Sequence, residues 1–182
     1  IYAVSLVKLG DGNNLVGYYM YHGGTNKIGE LSTFNETKAT GYPNDYPILS
    51  YDFQAPLSEY GEVREQYGLL NILHMFVNDF GEEFAPMIAV DSANSVAADD
   101  TNSLRYGMRT NDKSGFVFVN HYQRLTELAD IENAVISAGN VEFPPIDVKG
   151  EVSFFMPFNM KMGDSVLEYA TAQLLCKCDD TY

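Results

Sequence analysis

Apolar positions along this chain change rhythm from one segment to the next. Ile1 to Leu9 is largely apolar and meets Gly10, the pattern of a helix end with a glycine stop. After the turn Asp11-Gly12-Asn13-Asn14, the run Leu15-Val16-Gly17-Tyr18-Tyr19-Met20-Tyr21 is continuously apolar. A short run without alternation predicts a strand over 15–21, buried on both faces. It stops at His22-Gly23-Gly24-Thr25-Asn26, where glycines permit positive φ or close backbone approach. A strand that opens into such a loop is where α/β enzymes place ligands. A loop then reaches to about Pro56, and Gly41-Tyr42-Pro43-Asn44-Asp45-Tyr46-Pro47 within it is dense in turn residues and aromatics. Loops of that length are commonly functional. Helical spacing follows: Val63, Tyr67, Leu70, Leu73, Phe76, Val77 and Phe80 share one face, which predicts a helix over 59–80 capped by Gly81.

The second half has a strand rhythm. Residues 86–103 read as a linker, polar and small from Val90 to Ser103. Short apolar runs then recur at Leu104–Arg109, Gly115–His121, Ala134–Ile136, Val152–Phe158 and Val166–Leu175. Turn-rich segments such as Asn111-Asp112-Lys113-Ser114 separate them, so 104–182 is expected to form an antiparallel, sandwich-like β-domain. The fold class is therefore α+β.

Two motifs carry a resemblance. Tyr18-Tyr19-Met20-Tyr21-His22-Gly23-Gly24-Thr25-Asn26 and Ser50-Tyr51-Asp52-Phe53-Gln54-Ala55-Pro56-Leu57 closely resemble the last strand and loop of family 35 glycoside hydrolases, mostly β-galactosidases. Gly115–Leu125 and Tyr169–Cys176 look like the β-domain that follows the barrel in bacterial members. The resemblance implies that residues 1–85 are the last helix-strand-helix unit of a (β/α)₈ barrel. At 182 residues the chain is too short for a whole barrel, which takes about 250 residues. A lone barrel strand also lacks neighbours for its hydrogen bonds, so it would pair with the β-region or with a second copy.

Charge and cysteine content narrow the options. The formal net charge is −14, with 4 basic and 9 acidic residues in 1–80 and 7 and 16 in 81–182. Acidity spread over both halves reads as a solvated surface and argues against nucleic acid. No apolar run is long enough for a membrane span, and the N-terminus does not read as a signal peptide. Cys176 and Cys178 are too few for a zinc site and poorly spaced for a bridge. Asn35-Glu36-Thr37 fits the glycosylation pattern. Nothing suggests a cofactor or a metal.

The resemblance assigns the candidate site. It implies that Tyr19, Tyr51, Phe53, His22 and Asn26 contact substrate. Tyr19 would bond the sugar or the nucleophilic carboxylate; the plainer reading is a core tyrosine. His22 and Asn26 flank the glycines and would shape the pocket wall, and a structural hydrogen bond is the plainer reading of His22. Phe53 stands where the family has Tyr, so a hydroxyl is lost while stacking remains, and Gln54 replaces the usual Asp. Asp52 is expected to order its loop through backbone N–H groups. Retaining glycosidases need two carboxyl groups about 5–5.5 Å apart, and in this family both are glutamates on earlier barrel strands. Glu59, Glu62 and Glu65 are expected on the first turns of the final helix and take no catalytic role. The parent protein is thus expected to hydrolyse terminal β-galactosides, in an extracellular or periplasmic setting, while this chain has no catalytic residue. The alternative is a non-catalytic carbohydrate-binding or structural β-module.

Overall fold

The computed structural model describes residues 1–27, 29–31, 38–43, 45, 49–92, 96–179 and 181–182. The sequon at 35–37 lies outside them, as do Asn44, Tyr46 and Pro47 of the turn-rich loop. The protein is α+β with antiparallel sheets. It divides into two compact units, one of residues 1–16 and 72–182, the other of 17–71.

The larger unit is built on a five-stranded antiparallel sheet. Its strands are β3 (Ile88–Asp91), β4 (Arg105–Thr110), β5 (Gly115–His121), β10 (Val152–Met162) and β11 (Ser165–Tyr169), in the order β11-β10-β5-β4-β3. The central strand β5 is apolar on both faces because both are covered. Phe116 and Phe118 join Phe155 and the Phe76 and Phe84 rings of helix α2 (Glu65–Phe84), with Phe76 and Phe155 centroids 4.2 Å apart. Helix α1 (Tyr2–Gly10) packs on β5 and β10. On the other face Val117 and Val119 pack with Ile136, Ala138, Val141 and Phe143. These come from β7 (Ser137–Ala138), β8 (Val141–Glu142) and their flanks, near the paired strands β6 (Ile131–Ala134) and β9 (Ile146–Val148). Two short ribbons and their flanks therefore cover this face of the sheet.

One residue ties this unit's helices to its sheet. Arg109 of β4 is 1% exposed, and its guanidinium stacks 4.0 Å over the Phe84 ring. It donates to the Leu9 carbonyl in the last turn of α1 and the Asn13 carbonyl beyond it, to the Ala85 and Met87 carbonyls after α2, and to the Asn14 side-chain oxygen, at 2.9 to 3.2 Å. Helix C-termini leave carbonyls without intrahelical partners and carry partial negative charge, so a cation there satisfies both needs. Burial lowers the Arg109 pKa.

In the smaller unit, β1 (Gly24–Thr25) pairs antiparallel with β2 (Ser50–Tyr51), and a 3₁₀ turn spans Lys38–Thr40. Several expectations are corrected here. Residues 15–21 form no strand: Leu15 is 88% exposed and ladder-like bonding begins only at Tyr21. A lone strand has no adjacent backbone to bond, so the apolar run stays irregular. The helix runs over Glu65–Phe84 rather than 59–80. Gly61 sits at φ 82° and a Ser58 turn closes on Glu62, so the helix cannot extend back to residue 59, and Val63 is exposed. Gly81 does not stop it, since Phe84 completes the buried stripe of Leu73, Phe76 and Phe80. Part of the 86–103 linker is the edge strand β3, with Val90 opposite Met108.

Replacing Arg109 with Met is expected to destabilise the larger unit by about 3 kcal/mol, since buried carbonyls lose their donors. Lys should recover only part of this, lacking the planar fork. Urea unfolding followed by far-ultraviolet circular dichroism measures both.

Candidate functional site

The two motifs that stand apart in sequence are joined backbone to backbone. Gly23 N–H donates to the Leu57 carbonyl at 2.9 Å, and Leu57 N–H donates to the Tyr21 carbonyl at 3.0 Å. Gly24 then pairs with Tyr51 and Thr25 with Ser50, and Asn26 N–H reaches the Leu49 carbonyl at 2.7 Å. This contact explains the glycines. A Cβ on Gly23 would lie 2.6 Å from the Glu59 nitrogen and 2.7 Å from the Asp52 Cβ. One on Gly24 would lie 2.6 Å from the Tyr51 hydroxyl oxygen. Of the two uses expected of them, close approach is the operative one.

Beside this clasp lies a reversal built on Asp52. Its Oδ1 accepts from Gln54 N–H at 2.8 Å, and its carbonyl accepts from Ala55 N–H at 2.7 Å. Its Oδ2 accepts from Arg64 at 2.6 Å, and the other arm of the same guanidinium donates to the Ala55 carbonyl at 2.8 Å. Within it Phe53 and Gln54 sit at φ 47° and 56°, the left-handed region that costs about 1–2 kcal/mol per non-glycine residue. Asp52 is thus the loop-ordering carboxylate expected of it. Its pKa is lowered, first by the Arg64 hydrogen bond and then by the Gln54 N–H.

The reversal presents a row of rings. Phe53 stands 6.5 Å from Tyr19 in an edge-on arrangement and 6.1 Å from Tyr51. Tyr19 is 94% and Phe53 55% exposed, so Tyr19 is no core tyrosine. A pocket of about 320 Å³ lies alongside, lined by Ser50, Tyr51, Asp52, Phe53 and Glu59. Rings beside polar groups suit a ligand with both apolar and hydroxylated faces.

Three of the five expected site residues, Tyr19, Tyr51 and Phe53, are thus brought together. The other two are held through other bonds: the His22 ring contacts the Gly23 carbonyl, and Asn26 is fixed by its backbone. Glu59 precedes the helix instead of lying on its first turn; it accepts from the Thr25 hydroxyl and lines the pocket. Arg64 is also new to the site, its one signal in the sequence being a charge opposite to Asp52. His74 is exposed rather than packed, and His121 is buried against the Ala129 carbonyl at 3.0 Å. Among the described residues no group of three His, Cys, Asp or Glu could hold a metal, and no helix is long and apolar enough to cross a membrane.

Residues 2–77 match the family model of Glycosyl hydrolases family 35. Beta-galactosidase 12 of Oryza sativa subsp. japonica is 38% identical over 74 residues. That alignment covers 40% of this chain and 7% of the rice protein. No solved structure matches the chain. The stretch 2–77, which holds the clasp and the tyrosine-bearing loop, is thus similar to family 35 glycosyl hydrolases, and the match spans only a small part of the rice protein's length. The match ends ahead of β3, so it does not reach the segments 115–125 and 169–176.

Gly23→Ala is expected to lower the stability of the clasp by about 1–3 kcal/mol, because the neighbour it meets is backbone. Amide exchange at Gly24 and Leu57 reports it. The depressed Asp52 pKa has a definite sign. Its stabilisation is present above the unfolded value of about 3.9 and is lost as pH falls through the lower folded value. Acidification below about pH 4 is therefore expected to release the 52–55 reversal, seen in the Gln54 amide resonance, and Arg64→Ala should abolish that transition.

Proposed function

We propose that this chain is a C-terminal part of a retaining β-galactosidase, in which residues 1–85 complete the barrel and 104–182 are the β-domain behind it. The observation that carries this reading is the joining of the two motifs, which sets Tyr19, Phe53 and Tyr51 in one row beside a pocket. In the whole protein that row is a wall of the galactoside pocket, completed by His22 and Asn26. Phe53 gives stacking where a tyrosine would also give a hydrogen bond, which shifts preference among sugars.

Double displacement needs one carboxyl group that can donate a proton and a second that attacks the anomeric carbon. The carboxylates lining this pocket are otherwise engaged. Asp52 is held ionised by Arg64, the opposite of the raised pKa an acid requires. Glu59 is bonded to Thr25. The catalytic pair is therefore supplied by other strands of the barrel, and the chain alone does not hydrolyse. Exposed apolar side chains in 17–71, with Tyr60 at 85% and Val63 at 68%, support association of this unit with further protein, a second copy included.

Incubating the 182-residue chain with nitrophenyl β-galactoside is expected to give no turnover above buffer. Measurable, enzyme-proportional release would overturn the assignment of the catalytic pair to other strands. The alternative, a self-sufficient carbohydrate-binding module, requires saturable galactose binding by the isolated chain.

A further inference from the structure

We infer that Arg64 is a positioning residue that sets where the Phe53 ring stands, and so whether the ring row can receive a sugar face. The inference rests on the reading of that row as a sugar-binding wall. Arg64 is not among the pocket-lining residues, so any effect it has passes through its neighbours.

The path is short and each step is a hydrogen bond. Phe53 and Gln54 both hold left-handed backbone without being glycine, a conformation that persists only where surroundings impose it. Arg64 grips the reversal at both ends. One arm holds the Asp52 carboxylate at 2.6 Å and the other holds the Ala55 carbonyl at 2.8 Å. The same carboxylate anchors the Gln54 N–H at 2.8 Å. Ala55 is 1% exposed, so that end of the grip is fixed in the unit's interior. The Asp52 and Arg64 side chains are 30% and 33% exposed, partly withdrawn from water's competition. Between the two fixed points the Phe53 ring faces Tyr19 at 6.5 Å and Tyr51 at 6.1 Å. Without the grip, relaxation of the strained pair to ordinary φ would swing the ring out of the row.

A guanidinium is suited to this because its planar fork offers two donors in fixed relation. An ammonium offers a point charge, which can hold Asp52 or Ala55 but not both in this geometry. Lys at position 64 is therefore expected to keep the charge and lose the function, which a simple salt-bridge role would not produce.

The test uses the 182-residue chain with Arg64→Lys, Arg64→Ala and Asp52→Asn, the last keeping an acceptor for Gln54 N–H. Protected Asn26 and Leu57 amides, which hold the clasp of the same unit, confirm that each variant keeps that unit folded. Nuclear Overhauser contacts between the Phe53 ring and the Tyr19 and Tyr51 rings are expected in the parent chain, lost in both Arg64 variants and weakened in Asp52→Asn. Galactose titrated to millimolar concentrations asks separately whether the row alone holds a sugar: saturable shifts of the three rings in the parent chain, about tenfold weaker in affinity in Arg64→Lys, extend the positioning role to sugar contact and favour the self-sufficient module. Ring contacts that persist in both Arg64 variants overturn the positioning role. Ring contacts that vanish as expected, with no sugar-dependent shift in the parent chain, uphold the positioning role and overturn the self-sufficient module instead.

Discussion

The larger unit depends on one uncompensated cation. Among the described residues Arg109 has no carboxylate partner; carbonyl groups at the ends of α1 and α2 accept its hydrogen bonds instead. Burying a lone charge is costly unless every donor is satisfied. Here the fork is filled, and the cost is offset because the same carbonyls would otherwise be unpaired acceptors. Both helices must end at this point for the site to exist. The aromatic packing of Phe76, Phe84, Phe116 and Phe155 is non-directional, so it needs such an anchor to fix the register of helix on sheet.

The smaller unit solves a different problem. It has little regular structure, and its order comes from reciprocal bonds between two short motifs. Glycine at 23 and 24 lets the backbones meet, Asp52 closes the loop beyond, and Arg64 holds that closure. The ring row is a product of this framework rather than of a packed core. That is consistent with Tyr19 and Phe53 standing well exposed.

What the sequence showed and hid follows from range. The end of α1 at Gly10, the central strand β5 and the start of β10 were legible because each is a local pattern of apolar residues and breakers. Tyr19, Tyr51 and Phe53 sit in the two motifs that the sequence singled out, and the structure brings their rings near one another. The strand over 15–21 was misread because a continuous apolar run reports hydrophobicity and says nothing about available partners. The helix start was misread because Val63 fits the stripe, while Gly61 at positive φ interrupts it. Arg109 drew no attention at the end of its apolar run, because its partners lie up to 100 residues away. Arg64 and Glu59 were missed likewise, since their partners are 12 and 34 positions distant.

Arg109's partners, carbonyls and one amide oxygen, do not exchange protons in the accessible range. Its anchorage is consequently blind to acidity, whereas the loop around Phe53 is fastened by a group that titrates. One polypeptide thus carries a fastening that solvent protons can undo and another that they cannot. Acid well below about pH 4 would loosen the ring row while leaving the aromatic core standing.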